Sequence, residues 1–184
     1  MNFPFASALA LPLVCAAALA QAPGAHWSTT STNTNPSQRR ENPGAADSNY
    51  MYVFGGKSGA SGGAAMNDLW RFDGSTWTEM NTNGAAGAPP ARDKAGVTWS
   101  FSMNRLIVFG GQDAAGMVLD DVWEWDPVSN TWTGYPAVSG PSARRFTAMT
   151  YDPTSGGVLM FGGLDAAGVH LDDSWLYVGA GVWV

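Results

Sequence analysis

Apolar side chains arrive in this chain in short runs, each followed by glycines and then by an alternating acid–apolar–aromatic stretch. Met51-Tyr52-Val53, Leu106-Ile107-Val108 and Val158-Leu159-Met160 run into Phe54-Gly55-Gly56, Phe109-Gly110-Gly111 and Phe161-Gly162-Gly163. A continuous apolar run of this length predicts a strand buried on both faces. The glycine pair is expected to end it, because glycine accepts positive φ and lets neighbouring backbone approach closely. Next come Asp68-Leu69-Trp70, Asp121-Val122-Trp123 and Asp173-Ser174-Trp175, then a second tryptophan at Trp77, Trp132 and Trp183. The Phe-Gly-Gly triplets lie 55 and 52 residues apart and the first tryptophans 53 and 52, so the chain is a repeat array.

The last two copies superpose without a gap at an offset of 52: Arg92 on Arg144, Trp99 on Tyr151, Asp113 on Asp165, Asp120 on Asp172, Trp123 on Trp175. Within one unit the pattern predicts four strands. The first covers Ala95 to Phe101, the second Leu106 to Phe109 after an Asn104-Arg105 turn, and the third Asp121 to Trp125, with one face apolar and the other polar. Turn residues from Asp126 to Asn130 lead into an outer strand from Thr131 to Tyr135. Four short antiparallel strands per unit, with glycines and aromatics at fixed places, describe an all-β propeller blade. Residues 27–184 hold no long helix-forming stretch.

The glycine doublet after an apolar strand, the acid-x-Trp strand and the later tryptophan resemble kelch repeats over roughly Trp27 to Val184. The resemblance implies a kelch-type β-propeller, a fold whose members mostly bind other molecules and occasionally catalyse. In that reading Gly55, Gly56, Gly110, Gly111, Gly162, Gly163 and Trp70, Trp123, Trp175, Trp77, Trp132, Trp183 are structural positions of the repeat.

Three blades are expected, at about 37–80, 90–135 and 142–184, after a polar linker over 23–36 that carries a stray outer strand near Trp27. Propellers have about 4–8 blades. Three would leave apolar blade faces open, so the expectation is part of a larger ring, with a half-ring that dimerises into six blades and a stable open arc as its rivals. Residues 1–22 resemble a secretory signal peptide, with small-residue cleavage sites at Ala18-Leu19-Ala20 or Ala20-Gln21-Ala22, although no Lys or Arg precedes the apolar stretch. The expected location is therefore secreted or periplasmic, with no membrane association after cleavage.

Cys15 is the only cysteine, so a cleaved chain would have no disulfide and no thiolate site. The net charge of −6 argues against nucleic acid and anionic membrane, both of which reward clustered Lys and Arg. No metal and no cofactor is expected.

Candidate chemistry is sparse. Arg39, Arg92 and Arg144 occupy one repeat position before the innermost strand and could hold an acidic ligand through bidentate hydrogen bonds. The other reading is structural, each pairing with a neighbouring blade's acid such as Asp120 or Asp172 as part of the repeat's own design. Asp120-Asp121 and Asp172-Asp173 alternate faces on a strand and do not converge. Asp113 and Asp165 are expected to start turns. His170 replaces Val118 of the preceding repeat and is a candidate ligand contact; the other histidine is His26.

Some kelch-like propellers are copper oxidases and others epimerise sialic acids. The first type's histidine, tyrosine and cysteine-modified tyrosine set cannot be assembled here; the arginines keep the second in view. The expectation is an exported, non-catalytic module binding protein or glycan. The alternatives are a propeller enzyme, oxidase-like or epimerase-like, whose catalytic residues lie in missing blades, and a purely structural repeat.

Overall fold

The computed structural model describes residues 34–59, 62–136 and 139–184, and among them every helix or strand is a strand. Each Phe-Gly-Gly frame becomes one antiparallel sheet. The first holds β1 (Arg39–Arg40), β2 (Gly44–Ala46), β3 (Met51–Ser58), β4 (Ala65–Phe72) and β5 (Trp77–Asn81). The second holds β6 (Arg92–Asp93), β7 (Gly96–Ser100), β8 (Arg105–Asp113), β9 (Val118–Asp126) and β10 (Thr131–Tyr135). The third holds β11 (Ala148–Asp152), β12 (Gly157–Leu164), β13 (His170–Gly179) and β14 (Val182–Trp183). These are four-stranded propeller blades whose innermost strand is split. β1 and β2 both pair with β3, β6 and β7 both pair with β8, and an Arg145–Leu164 bridge precedes β11.

The split falls at a residue forced into the left-handed region: Glu41, Lys94 and Phe146, with φ of 54°, 57° and 59°. An L-residue held there costs roughly 1–2 kcal/mol. Main-chain bonding between blades offsets it. Lys94 N–H donates to Glu41 O at 3.0 Å and Phe146 N–H donates to Lys94 O at 2.8 Å, so a stair of hydrogen bonds climbs from blade to blade along the inner edge.

The glycine doublet does not end its strand. β3, β8 and β12 run past it to Ser58, Asp113 and Leu164, and the register with the next strand shifts between Phe54 and Gly56, Phe109 and Gly111, Phe161 and Gly163. Gly110 and Gly111 sit at φ of 61° and 95°, so the strand bulges and bends rather than stopping. The following strand therefore starts earlier than the sequence suggests, at Val118 rather than Asp121, and the connecting loop shrinks to 114–117.

Blades pack by alternate faces. Tyr52, Phe54 and Leu69 of the first blade meet Val97, Trp99, Leu106, Val108 and Trp125 of the second, and Tyr52 stacks on Trp99 at 5.1 Å. Ile107, Phe109 and Val122 then meet Val158, Met160, Tyr177 and Trp183 of the third. Leu106, Ile107, Val108 and Phe109 are each 0% exposed, as a strand covered on both faces requires. Each such side chain contributes about 1.5–3 kcal/mol. The second tryptophans of the second and third repeats close the joints: Trp132 packs on Phe54 at 5.3 Å and Trp183 on Phe109 at 5.0 Å, while Trp77 packs on Phe72 of its own blade at 4.9 Å.

A Cβ on Gly110 would lie 2.5 Å from Arg144 O and 3.0 Å from Leu119 O. Gly110→Val should therefore destabilise the chain by about 3 kcal/mol or more, from positive φ and overpacking together. Gly168→Ala, with nothing within 4 Å of the added carbon, should cost about 1 kcal/mol, from its φ of 81° alone. Denaturant melts of the two variants check the contrast, and equal losses would refute it.

Candidate functional site

The repeated arginines are placed first by the chain that precedes each inner strand. Arg92 Nη1 and Nη2 grip Asp121 at 2.6 and 2.8 Å, Nη1 also donates to Gly110 O at 3.0 Å, and Nε donates to Pro90 O at 3.0 Å. Arg144 repeats this on Asp173 and the carbonyls of Gly162 and Ser142, and Arg39 on Asp68 and the carbonyls of Gly55 and Ser37. Each acid also accepts the indole N–H two residues on: Trp70 to Asp68, Trp123 to Asp121 and Trp175 to Asp173, at 2.6–2.7 Å. Residues i and i+2 of a strand share a face, which is the physical content of the acid-x-Trp signature.

The partner acids are thus Asp121 and Asp173 of the arginine's own blade, not Asp120 or Asp172 of a neighbouring one. The guanidiniums are turned into their own blades: the Arg92 side chain is 0% exposed, that of Arg144 1% and that of Arg39 6%. Burial pulls the Asp121 carboxyl up, but the Arg92 hydrogen bonds and charge, with the Trp123 N–H, hold it below its ordinary value. The Arg144 hydrogen bond first, then the Trp175 N–H, outweigh desolvation and bring Asp173 down to about 2. Burial, then the hydrogen bond to Glu124 at 2.6 Å, pushes the Tyr177 hydroxyl well up, and this bond ties the third blade to the second.

A different set of side chains stands at the inner edge. Glu41, Lys94 and Phe146, on the three left-handed positions, line a cleft of about 320 Å³ together with Asn42, Pro43, Ala95 and Thr147. Lys94 Nζ donates to Gln112 Oε1 at 2.8 Å, stands 3.8 Å from Glu41 and 3.7 Å from the buried Asp93, and lies 5.6 Å from the Phe146 ring centroid. Lys57 meets Asp93 from the first blade at 2.7 Å. Arg40 stands 4.0 Å from Glu41, so the mouth is an ion-pair cluster of three cations and two carboxylates beside an aromatic ring that is 53% exposed. Sequence reasoning passed over Glu41, Lys94 and Phe146. The signal was present: two residues after each repeated arginine, one repeat position changes from acid to lysine to phenylalanine.

His170 is exposed at the start of β13, paired in register with Leu164, and lines a second cleft of about 390 Å³ that also takes in Phe146 and Phe161. Asp113 and Asp165 do start turns, accepting main-chain N–H groups of Met117 and Val169 at 2.8 Å. Among the described residues no three of His, Cys, Asp or Glu gather as metal ligands would. His26, Cys15, the expected cleavage sites and the strand near Trp27 lie outside the described residues.

Split inner strands, bulged glycine pairs and arginine–aspartate–tryptophan clamps define blades of the kelch type. The chain belongs to the KLHDC2/KLHL20/DRC7 Kelch-repeats domain family, whose model matches residues 20–163. It is similar to tRNA wybutosine-synthesizing protein 4 of Aspergillus fumigatus, 27% identical over 128 residues that cover 68% of this chain and 12% of the relative. The flagellar outer-arm dynein alpha chain of Chlamydomonas reinhardtii is 34% identical over 117 residues, 59% of this chain and 3% of the relative. Dynein regulatory complex subunit 7 of the same alga is 29% identical over 116 residues, 61% of this chain and 10% of the relative.

The chain thus spans at most 12% of the length of these relatives. The kelch domain is a protein-interaction module, which makes a protein partner the coarse functional assignment. The secreted or periplasmic location expected from residues 1–22 is corrected by the same comparison. These relatives are named for tRNA modification and flagellar dynein rather than for any exported role.

Arg92→Ala should cost about 3–5 kcal/mol, because it strands a partly buried carboxylate. Asp173 has a folded value below its ordinary 3.8, so its contribution is present above that value and is lost as pH falls from 3.8 towards about 2. Melting temperatures measured between pH 5 and pH 2 should fall steeply for the parent chain and less steeply for Asp173→Asn, with Asp121 supplying part of the remaining slope. Parallel acid limbs would refute the clamp's role.

Proposed function

We propose that this chain is a non-catalytic protein-binding module and that its ligand seat is the inner-edge mouth of Glu41, Lys94 and Phe146. One observation carries the reading. The same left-handed backbone position presents an acid, a base and an aromatic ring in successive blades, around one cleft. A position that serves the scaffold repeats its chemistry, as the arginine clamps do, whereas a position that recognises something has no reason to. Rigid strands hold these side chains at the edge of the fold, where binding residues commonly stand.

The chemistry suits an extended polypeptide segment. An apolar side chain would lie on the exposed Phe146 ring, and a polar or charged group would exchange into the Lys94–Glu41 pair at 3.8 Å. Arg39, Arg92 and Arg144 act behind this mouth by holding each blade's inner edge in place, and His170 borders it through the cleft it shares with Phe146.

Selection of a displayed random-peptide library on the full chain should enrich a consensus peptide. Its binding should weaken about tenfold or more in Phe146→Ala and in Lys94→Ala, each worth at least about 1.4 kcal/mol, while Phe146→Ala keeps the parent melting temperature and Lys94→Ala, which loses contacts to Asp93 and Gln112, stays folded at the assay temperature. No enrichment, or a consensus indifferent to both substitutions, overturns the seat. Saturable binding on a glycan array instead, lost in Phe146→Ala, would replace the peptide by a sugar at the same ring.

A further inference from the structure

Asn83-Gly84 is the only asparagine–glycine step in the sequence. Such a step loses side-chain ammonia more readily than other asparagine steps. Glycine carries no Cβ, so its main-chain nitrogen can reach the carboxamide carbon of the residue before it. Here the step lies in the connection from β5 to β6, with both residues exposed. It forms the centre of a turn closed by Ala85 N–H on Thr82 O at 3.1 Å. Gly84 has φ of 82° and nothing within 4 Å of the Cβ position.

Both groups that would react are nevertheless held by one residue of the first blade. Asn67 on β4 is 6% exposed. Its main-chain N–H donates to Asn83 Oδ1 at 3.0 Å, and its own Oδ1 accepts Gly84 N–H at 2.7 Å. Its Nδ2 donates to Pro89 O at 2.8 Å, so the far end of the connection is tied to the same side chain. One residue on, Pro90 O accepts Arg92 Nε at 3.0 Å. The repeat equivalents of Asn67 are Asp120 and Asp172. A carboxylate accepts but does not donate, so only the first blade can hold its outgoing connection by an amide that does both.

These bonds oppose the reaction. Attack requires the Gly84 nitrogen to give up its proton and turn towards Asn83 Cγ. The bond to Asn67 Oδ1 stabilises the proton that has to leave, and the bond to Asn83 Oδ1 keeps the carboxamide on β4.

We infer that Asn83 is a site of slow self-modification and that Asn67 sets its rate. When this latch opens, a bond forms between Gly84 N and Asn83 Cγ and the Cγ–Nδ2 bond breaks. The departing amide leaves with the Gly84 proton as ammonia. Water then opens the cyclic imide to aspartate or iso-aspartate at position 83. The iso-aspartyl form lengthens the main chain by a methylene, so the bonds of Asn67 to this turn and to Pro89 no longer fit together. The connection that carries the Pro90 carbonyl to the Arg92 clamp is then released. This inference is independent of the peptide-binding reading.

Peptide mapping by mass spectrometry of the full chain, incubated at mildly alkaline pH, measures conversion at position 83. The folded parent should convert about tenfold or more slowly than the same chain in urea, and Asn67→Ala about tenfold or more faster than the parent. Asn67→Asp keeps the acceptor for Gly84 N–H and should stay within about threefold of the parent. Equal rates for the folded parent and the urea-unfolded chain overturn the inference, whether or not Asn67→Ala folds. So does an Asn67→Ala chain that melts as a folded protein yet converts at the parent rate. An Asn67→Asp rate matching that of Asn67→Ala would put the control in the tie to Pro89 and overturn the role of the Gly84 bond.

Discussion

Arg144, at the start of the third blade, is bonded in two directions, and the blade's place in the fold depends on that. Its carbonyl oxygen belongs to the preceding blade: Arg144 O accepts the N–H of Gly111 at 2.9 Å. Its guanidinium belongs to its own blade, forked onto Asp173 with one arm on the Gly162 carbonyl. A buried guanidinium has five donors and no acceptor, so it is stable only where acceptors converge on it. The bulge carbonyl, the loop carbonyl and the carboxylate supply them. Remove the glycine bulge, and neither the arginine's main chain nor its side chain can reach its partners.

This arrangement separates scaffold from surface. The clamp consumes the arginine, the aspartate at Asp68, Asp121 or Asp173 and the indole N–H of the first tryptophan in every blade. The second tryptophans of the second and third blades are taken up by the joints. What remains to differ is the left-handed residue two positions beyond the arginine, where backbone strain is held by the inner hydrogen-bond stair and the side chain does no structural work in common. Variation at Glu41, Lys94 and Phe146 is what the proposed recognition role draws on, while invariance at the clamp reflects packing.

The array was legible in the sequence because its period, glycine doublets and paired tryptophans are linear features. Three readings failed for a shared reason. The doublet was expected to end the strand, the arginine partners were expected one residue early, and the third strand was expected to start three residues late. All three follow from the bulge. Inserting an extra residue into one strand shifts register, and a shift by one residue reverses which face each side chain takes. Nothing in the order of residues announces that shift, because it arises where a neighbouring blade's carbonyl approaches the glycine.

By itself the sequence determined the class of the chain: an all-β kelch array with four strands to a unit, held by apolar runs whose neighbours in space are also repeats. A periodic chain can encode this because each blade meets only its neighbours, so local pattern and long-range contact carry the same information. The tertiary structure decided which acid each arginine holds and which side chains reach the inner mouth. Those depend on face parity after the bulge and on what stands across the joint, and both are properties of packed sheets rather than of the order of residues.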